Sequence, residues 1–141
     1  MSVAKLVGAA ELDALLGHLS SEGNRVFLFD GSAVHDKESL FAQAPTGLPF
    51  PPGVTVRRWS GFEDYLWQGV VTAGAPQVAV VWVHAEQMLE GGLAVLLEAL
   101  DVFSSVARLA ADAETASLPE PIELAVYLVG SGPNFGGGGA A

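Results

Sequence analysis

The chain of 141 residues is long enough for one domain with a buried core, and half of its residues are hydrophobic, so disorder is not the default state. It contains no cysteine, which excludes disulfides, a thiolate nucleophile and a cysteine-based zinc site. Six basic and sixteen acidic residues give a net charge of −10, which repels nucleic acid and favours a basic protein partner.

The negative charge is concentrated in the second half of the chain. Residues 1–61 carry five basic and six acidic side chains, whereas residues 62–123 carry one basic and ten acidic side chains. This distribution indicates a directional acidic surface, although solubility alone also accounts for many carboxylates. The amino terminus lacks the apolar run of a signal peptide, and no stretch approaches about 18 apolar residues. We therefore expect a cytoplasmic protein with no membrane partner.

The first predicted elements are a helix, a strand and a short helix. Gly23 ends the first helix, which is indicated by four leucines at helical spacing, Leu12, Leu15, Leu16 and Leu19. The apolar run 26–29, followed by Asp-Gly, predicts a strand that is buried on both faces. Asp36 is the predicted cap of a helix over 37–44, and the prolines and glycines of 45–53 predict a loop.

A second helix is predicted to begin at Ser60. Ser60 and Glu63 have the spacing of a capping box, which places Glu63 and Asp64 in the first turn. The inward face of this helix is apolar or small and comprises Phe62, Tyr65, Leu66 and Gly69.

Two more buried strands are predicted, at 78–83 and 124–129, separated by a loop or short turn at 84–88 and a long helix from residue 93 to 110. Strands alternating with helices predict an α/β fold with a three-stranded parallel sheet. We divide the chain into an N-terminal helical extension (1–25), a central domain (26–129) and a flexible glycine-rich tail (130–141).

The order and spacing of these segments resemble the barstar family of ribonuclease inhibitors. VFLFDG resembles the first strand of the family, DKESLFAQA its first helix, VAVVWVHAEQ its second strand and LAVYLV its last. WSGFEDYLW resembles the second helix, whose pattern is Asn, Trp or Leu, Asp, Ala, an apolar residue, any residue, Asp, any residue, Leu. Four residues occupy places of that pattern, namely Trp59, Phe62, Asp64 and Leu66.

The resemblance implies an inhibitor with no catalytic residues, no metal and no cofactor. In the family, the second Asp of the pattern occupies a phosphate-binding pocket of the nuclease, and here that residue is Asp64. The implied role is a bacterial immunity protein that blocks a basic nuclease toxin through the loop 51–58 and the helix after it. The predicted partner-binding residues are Asp64, Glu63, Ser60, Trp59, Arg58, Arg57 and Trp67.

Several positions depart from the family pattern. Arg58 stands in place of Asn, Ser60 in place of the first Asp, and Val54 and Thr55 in place of an aromatic pair. Ser60 still suits a helix cap but carries no charge, and Arg58 adds positive charge beside Asp64. The departures imply that the partner need not resemble barnase.

The sequence is also compatible with two other hypotheses of function. One is a barstar-like interaction module with no nuclease partner, which the departures at Arg58 and Ser60 favour. The other is a small enzyme that uses His84, whose His-x-Glu element lacks the cysteines that zinc deaminases need. The sequence leaves the oligomeric state open.

Overall fold

The structure is a computed structural model that describes residues 4–135. The helices and strands alternate along the chain. They are β1 (Ala4–Gly8), a 3-10 turn (Ala9–Glu11), α1 (Leu12–Ser21), β2 (Arg25–Asp30), α2 (Lys37–Gly47), α3 (Trp59–Val71), β3 (Gln77–Val83), α4 (Glu86–Gly91), α5 (Leu93–Ala111) and β4 (Glu123–Gly130).

The four strands form one parallel sheet in the order β1-β4-β3-β2. The predicted α/β class and the predicted parallel sheet are confirmed, but the sheet has four strands rather than three. The additional strand is β1, which pairs in register with β4 from Ala4↔Val126 to Gly8↔Gly130. It has only five residues, and Leu6 at its centre is 53% exposed, so it lacks the long apolar run by which the other strands were recognised.

Helices cover both faces of the sheet. One face carries the larger apolar cluster, in which Val80, Trp82 and Val126 pack against residues of α2, α3 and α5. The other face carries a smaller cluster, in which Val81 and Val129 pack against Leu19 of α1. The central strands β3 and β4 are therefore buried between two layers of helix, as the apolar runs at 78–83 and 124–129 predicted.

Three elements differ from the sequence prediction. β2 is an edge strand rather than a strand buried on both faces, and Leu28 on it is 52% exposed. α2 continues through Pro45 to Gly47; Pro45 lacks only its own N–H, and the N–H of Leu48 still donates to the carbonyl of Ala44 at 3.0 Å. The segment after β3 contains the short helix α4, where a loop or turn was expected.

The first residues of the predicted tail belong to the packed structure. Gly130 completes β4, and the ring of Phe135 is 3% exposed within the larger apolar cluster. The rest of the predicted flexible tail, residues 136–141, lies outside the described residues. The predicted division at residue 25 and residue 130 stays a prediction, although β1 pairs with β4 in the sheet and α1 packs on one face of it.

Candidate functional site

Helix α3 begins at Trp59, one residue before the predicted capping serine. Arg58 is the N-cap, its backbone is extended, and no side chain caps the helix. The N–H of Phe62 donates to the carbonyl of Arg58 at 3.1 Å. The predicted Ser60–Glu63 capping box is therefore wrong, because Trp59 is already held in the helix by packing on Phe62, with ring centroids 5.3 Å apart.

This start also moves the acidic residues away from the helix N-terminus. The first turn of α3 holds no acidic residue, whereas Glu63 and Asp64 were expected there. A carboxylate in the second turn gains little from the helix dipole, whose influence fades beyond the first turn. Glu63 and Asp64 therefore stabilise the helix only weakly. Helix stability alone does not explain why two acidic residues lie at this place.

Asp64 lies on the side of α3 that faces away from the core. The buried residues of the helix are Phe62, Leu66, Gly69 and Val70. With 3.6 residues per turn, Ser60, Asp64 and Gln68 form a row on the opposite side, and all three are exposed. The row is continuous over the first three turns.

The Asp64 carboxylate has no internal partner. Among residues 4–135, no hydrogen bond or ion pair involves the side chain of Asp64, and the guanidinium groups of Arg57 and Arg58 are likewise exposed and unpaired. Two cations thus lie just before the helix that carries the anion, but neither neutralises it by direct contact. The side chain is free to bind an external cationic group.

The two tryptophans of the predicted site serve the fold as well. Trp59 packs edge-on against Phe41 of α2, with centroids 5.0 Å apart, and Trp67 packs against the larger apolar cluster. Each ring is only partly buried. Each therefore anchors α3 while leaving part of its surface at the protein exterior.

The loop before α3 is held against the helix by close contacts. A Cβ on Gly69 would lie 1.6 Å from the carbonyl oxygen of Pro49, so only glycine allows this approach. Phe50 packs edge-on against Phe62, with ring centroids 5.2 Å apart, and its ring centroid is 6.1 Å from that of Tyr65. These contacts position the segment that leads to Arg57 and Arg58.

His84, the residue on which the hypothesis of a small enzyme depends, lies just after β3 and has a left-handed backbone with φ 56°. Its Nδ1 is 3.8 Å from Oε2 of Glu86. The backbone N–H and the hydroxyl of Ser32 lower the pKa of the nearby Asp30 carboxyl, and His84 adds to this effect. Within the described part of the chain, no three His, Asp or Glu side chains are grouped so that they could hold a metal ion.

None of the helices in residues 4–135 combines the length and the apolar character that a bilayer crossing requires.

Comparison with known protein families gives a match. A family model described as Barstar (barnase inhibitor) matches residues 24–122, which is more than half of the chain. No curated protein and no solved structure matches. The matched span runs from just before β2 to the residue before β4, so it includes α3 and leaves β1 and α1 outside.

Proposed function

Because the chain belongs to the barstar family, we propose that it inhibits a basic nuclease by placing the Asp64 carboxylate among the cations that bind substrate phosphate. Proteins of this family are inhibitors, not enzymes, and they bind ribonucleases. The observation that carries the proposal is that Asp64 projects from the solvent side of α3 with no partner of its own among residues 4–135. A free carboxylate at this place suits charge-assisted hydrogen bonds to Arg and Lys.

The surroundings of Asp64 support a protein interface. Ser60 and Gln68 add uncharged polar groups on either side, and the partly exposed ring of Trp67 lies on the adjacent side of the helix. Aromatic side chains are enriched in protein interfaces, and Trp is among the residues that most often dominate the binding energy. Glu63 contributes a second exposed carboxylate on the same helix.

The acidic composition supports rapid capture of a basic partner. With a net charge of −10, the field of the whole protein accelerates association with a cationic enzyme and weakens as salt rises. This is the behaviour expected of a cytoplasmic immunity protein that must neutralise a nuclease toxin before RNA is cleaved.

A second function is a barstar-like interaction module that blocks no nuclease. The observation that favours it is the pair of unpaired cations, Arg57 and Arg58, at the start of the helix that carries Asp64. These charges would oppose docking on an Arg-lined pocket unless the partner supplies carboxylates for them.

The test measures inhibition and binding with barnase and with purified nuclease toxins encoded beside the gene. Cleavage of a fluorogenic RNA and surface plasmon resonance are recorded at low and at physiological salt. Asp64→Ala should weaken binding by about 30-fold or more, since a central interface charge of this kind is typically worth about 2 kcal/mol or more.

The matched control is Asp13→Ala, which removes an exposed carboxylate from α1 on the opposite face of the sheet. It should leave both inhibition and affinity unchanged. Equal affinity of Asp64→Ala and the unaltered protein would refute the site. Binding without inhibition of RNA cleavage would establish the interaction module instead.

A further inference from the structure

A groove opens between α2 and the segment before α3. Its volume is about 600 Å³, and one wall is formed by residues 54–57. The apolar part is formed by Phe41, Pro45 and Val56, and Phe41 and Val56 are each 7% exposed. Lys37, Glu38 and Arg57 complete the lining. The groove is large enough to take bulky side chains of a partner.

The net charge of the groove lining is positive, whereas that of the protein as a whole is negative. The chain has six Lys and Arg residues, and three of them, Lys37, Arg57 and Arg58, lie in the groove lining or directly beside it. Glu38 is the one acidic residue of the lining. In the span 4–135, neither Lys37 nor Arg57 makes an ion pair, although the protein carries ten more acidic than basic side chains.

The main chain along this wall is also unpaired. Within the described residues, no hydrogen bond involves the backbone N–H or C=O groups of residues 54–57. Backbone groups that lack an internal partner must bind water or another chain. A peptide segment that lies alongside such a wall can hydrogen-bond to it through its own main chain.

From these three observations we infer that the groove binds an extended acidic segment of the partner protein. The main chain of that segment pairs with residues 54–57. Its apolar side chains rest on Phe41 and Val56, and its carboxylates bind Lys37 and Arg57. An RNA ligand fits less well, since the lining between the cations is apolar and suits the side chains of a peptide better than a sugar–phosphate backbone.

This inference rests on the proposed function in one respect, namely that the segment belongs to the protein that Asp64 contacts. Arg57 lines the groove and α3 begins two residues later, so the groove and the Asp64 row belong to one continuous surface. The partner would then offer a basic region to Asp64 and an acidic segment to the groove. A surface that carries both positive and negative charges explains why an inhibitor of a basic enzyme has Arg57 and Arg58. Complementary charges of both signs fix the register in which the two proteins dock.

The test uses peptides and requires no nuclease. The ¹⁵N-labelled full chain is titrated with the capped hexapeptide Gly-Asp-Phe-Asp-Leu-Gly and with the same peptide carrying Lys in place of Asp. A single-stranded oligoribonucleotide is the third probe. We expect the acidic peptide to shift the amide signals of residues 54–57 and the signals of Phe41, and the other two probes to leave them in place.

The variant Lys37→Glu combined with Arg57→Glu should weaken binding of the acidic peptide by about tenfold or more. The control Lys5→Glu reverses a charge on β1 and should not change it. The peptide titration contains no nuclease, so a failed nuclease assay and a failed groove assay are separate results. Equal binding of the acidic and basic peptides, binding of RNA in the groove, or no binding of the acidic peptide would overturn the inference.

Discussion

The N–H of Phe62 donates to the carbonyl of Arg58 at 3.1 Å, and this hydrogen bond places the start of α3 before Ser60 rather than at it. Ser60 consequently lies inside the first turn, where its hydroxyl caps nothing. Its side chain remains exposed on the same side as Asp64. A residue expected to stabilise the helix is instead available to the surface that we assign to a partner.

The first prediction compares two residues that the sequence marks as caps. Ser60→Ala should change the free energy of unfolding by less than about 0.5 kcal/mol, as an exposed substitution that removes no hydrogen bond. Asp36→Ala should destabilise more, because the Asp36 carboxylate accepts from the Ser39 N–H at 2.8 Å and Ser39 Oγ accepts from the Asp36 N–H at 3.0 Å. Urea unfolding of both variants measures the difference. A larger loss in Ser60→Ala would contradict the assigned start of α3.

The second prediction concerns acid sensitivity. Hydrogen bonds from the Ser39 hydroxyl and then the Ser39 N–H lower the pKa of the Asp36 carboxyl from its ordinary value of 3.8. A carboxyl whose pKa is lower in the folded state contributes stability that is complete above the unfolded value and lost as pH falls through the folded value. Asn is also a good N-cap but cannot ionise.

We therefore expect Asp36→Asn to be less stable than the unaltered protein at neutral pH. The gap in urea midpoint should narrow as the pH falls below 3.8. The same reasoning applies to Asp112, where hydrogen bonds with the side chain and then the backbone of Thr115 lower the pKa of the carboxyl. A gap that stays constant from neutral to acid pH would contradict the role of ionisation.

The third prediction uses two glycines of α3. Gly69→Ala should destabilise by about 1 to 3 kcal/mol or more, because its Cβ would overlap the carbonyl of Pro49 and force the loop away from the helix. Gly61→Ala meets nothing within 4 Å and should stabilise by up to about 1 kcal/mol, the usual gain of Ala over Gly in a helix. Thermal and urea unfolding separate the two outcomes. Similar effects of both substitutions would contradict the close packing of loop and helix.

Long periodic segments allowed correct prediction of much of the fold. α5 repeats its buried residues, including Leu96, Phe103 and Ala110, at helical spacing over nineteen residues, so tertiary context was not needed to recognise it. β3 consists of a continuous apolar run with Trp82 inside it, which is typical of a buried parallel strand. In both elements the local pattern and the final environment agree.

The missed elements depend on distant parts of the chain. β1 is a strand because it pairs with β4 at the far end of the sequence, and five residues with an exposed Leu6 carry no such information. The helical period of this segment predicted that Asp64 is exposed. The resemblance to the barstar family is what assigned Asp64 to the partner-binding surface. The groove was not foreseen, because Lys37 and Arg57 lie on separate segments that meet only in the folded chain.

The last prediction tests whether residues 1–25 are a separate extension, as the sequence suggested, or part of one cooperative unit. A chain that begins at Asn24, where the family match begins, lacks β1 and α1. Its β4 would present an unpaired edge from Val126 to Gly130, and the apolar side of Val81 and Val129 would lose its cover. Exposed strand edges and apolar patches of this kind promote aggregation.

We therefore expect the truncated chain to be insoluble or to unfold without a sharp transition, as measured by size-exclusion chromatography and urea titration.

Point variants in the full chain test the same contribution of residues 1–25 to stability. Leu19→Ala should cost about 2 to 5 kcal/mol, because Leu19 is 3% exposed on the side of α1 that packs on the sheet. Leu6→Ala should cost less than about 0.5 kcal/mol, because Leu6 is 53% exposed. A soluble truncated chain with the stability of the full protein would instead establish residues 1–25 as an independent extension, since α1 would then contribute nothing to the free energy of the sheet it covers.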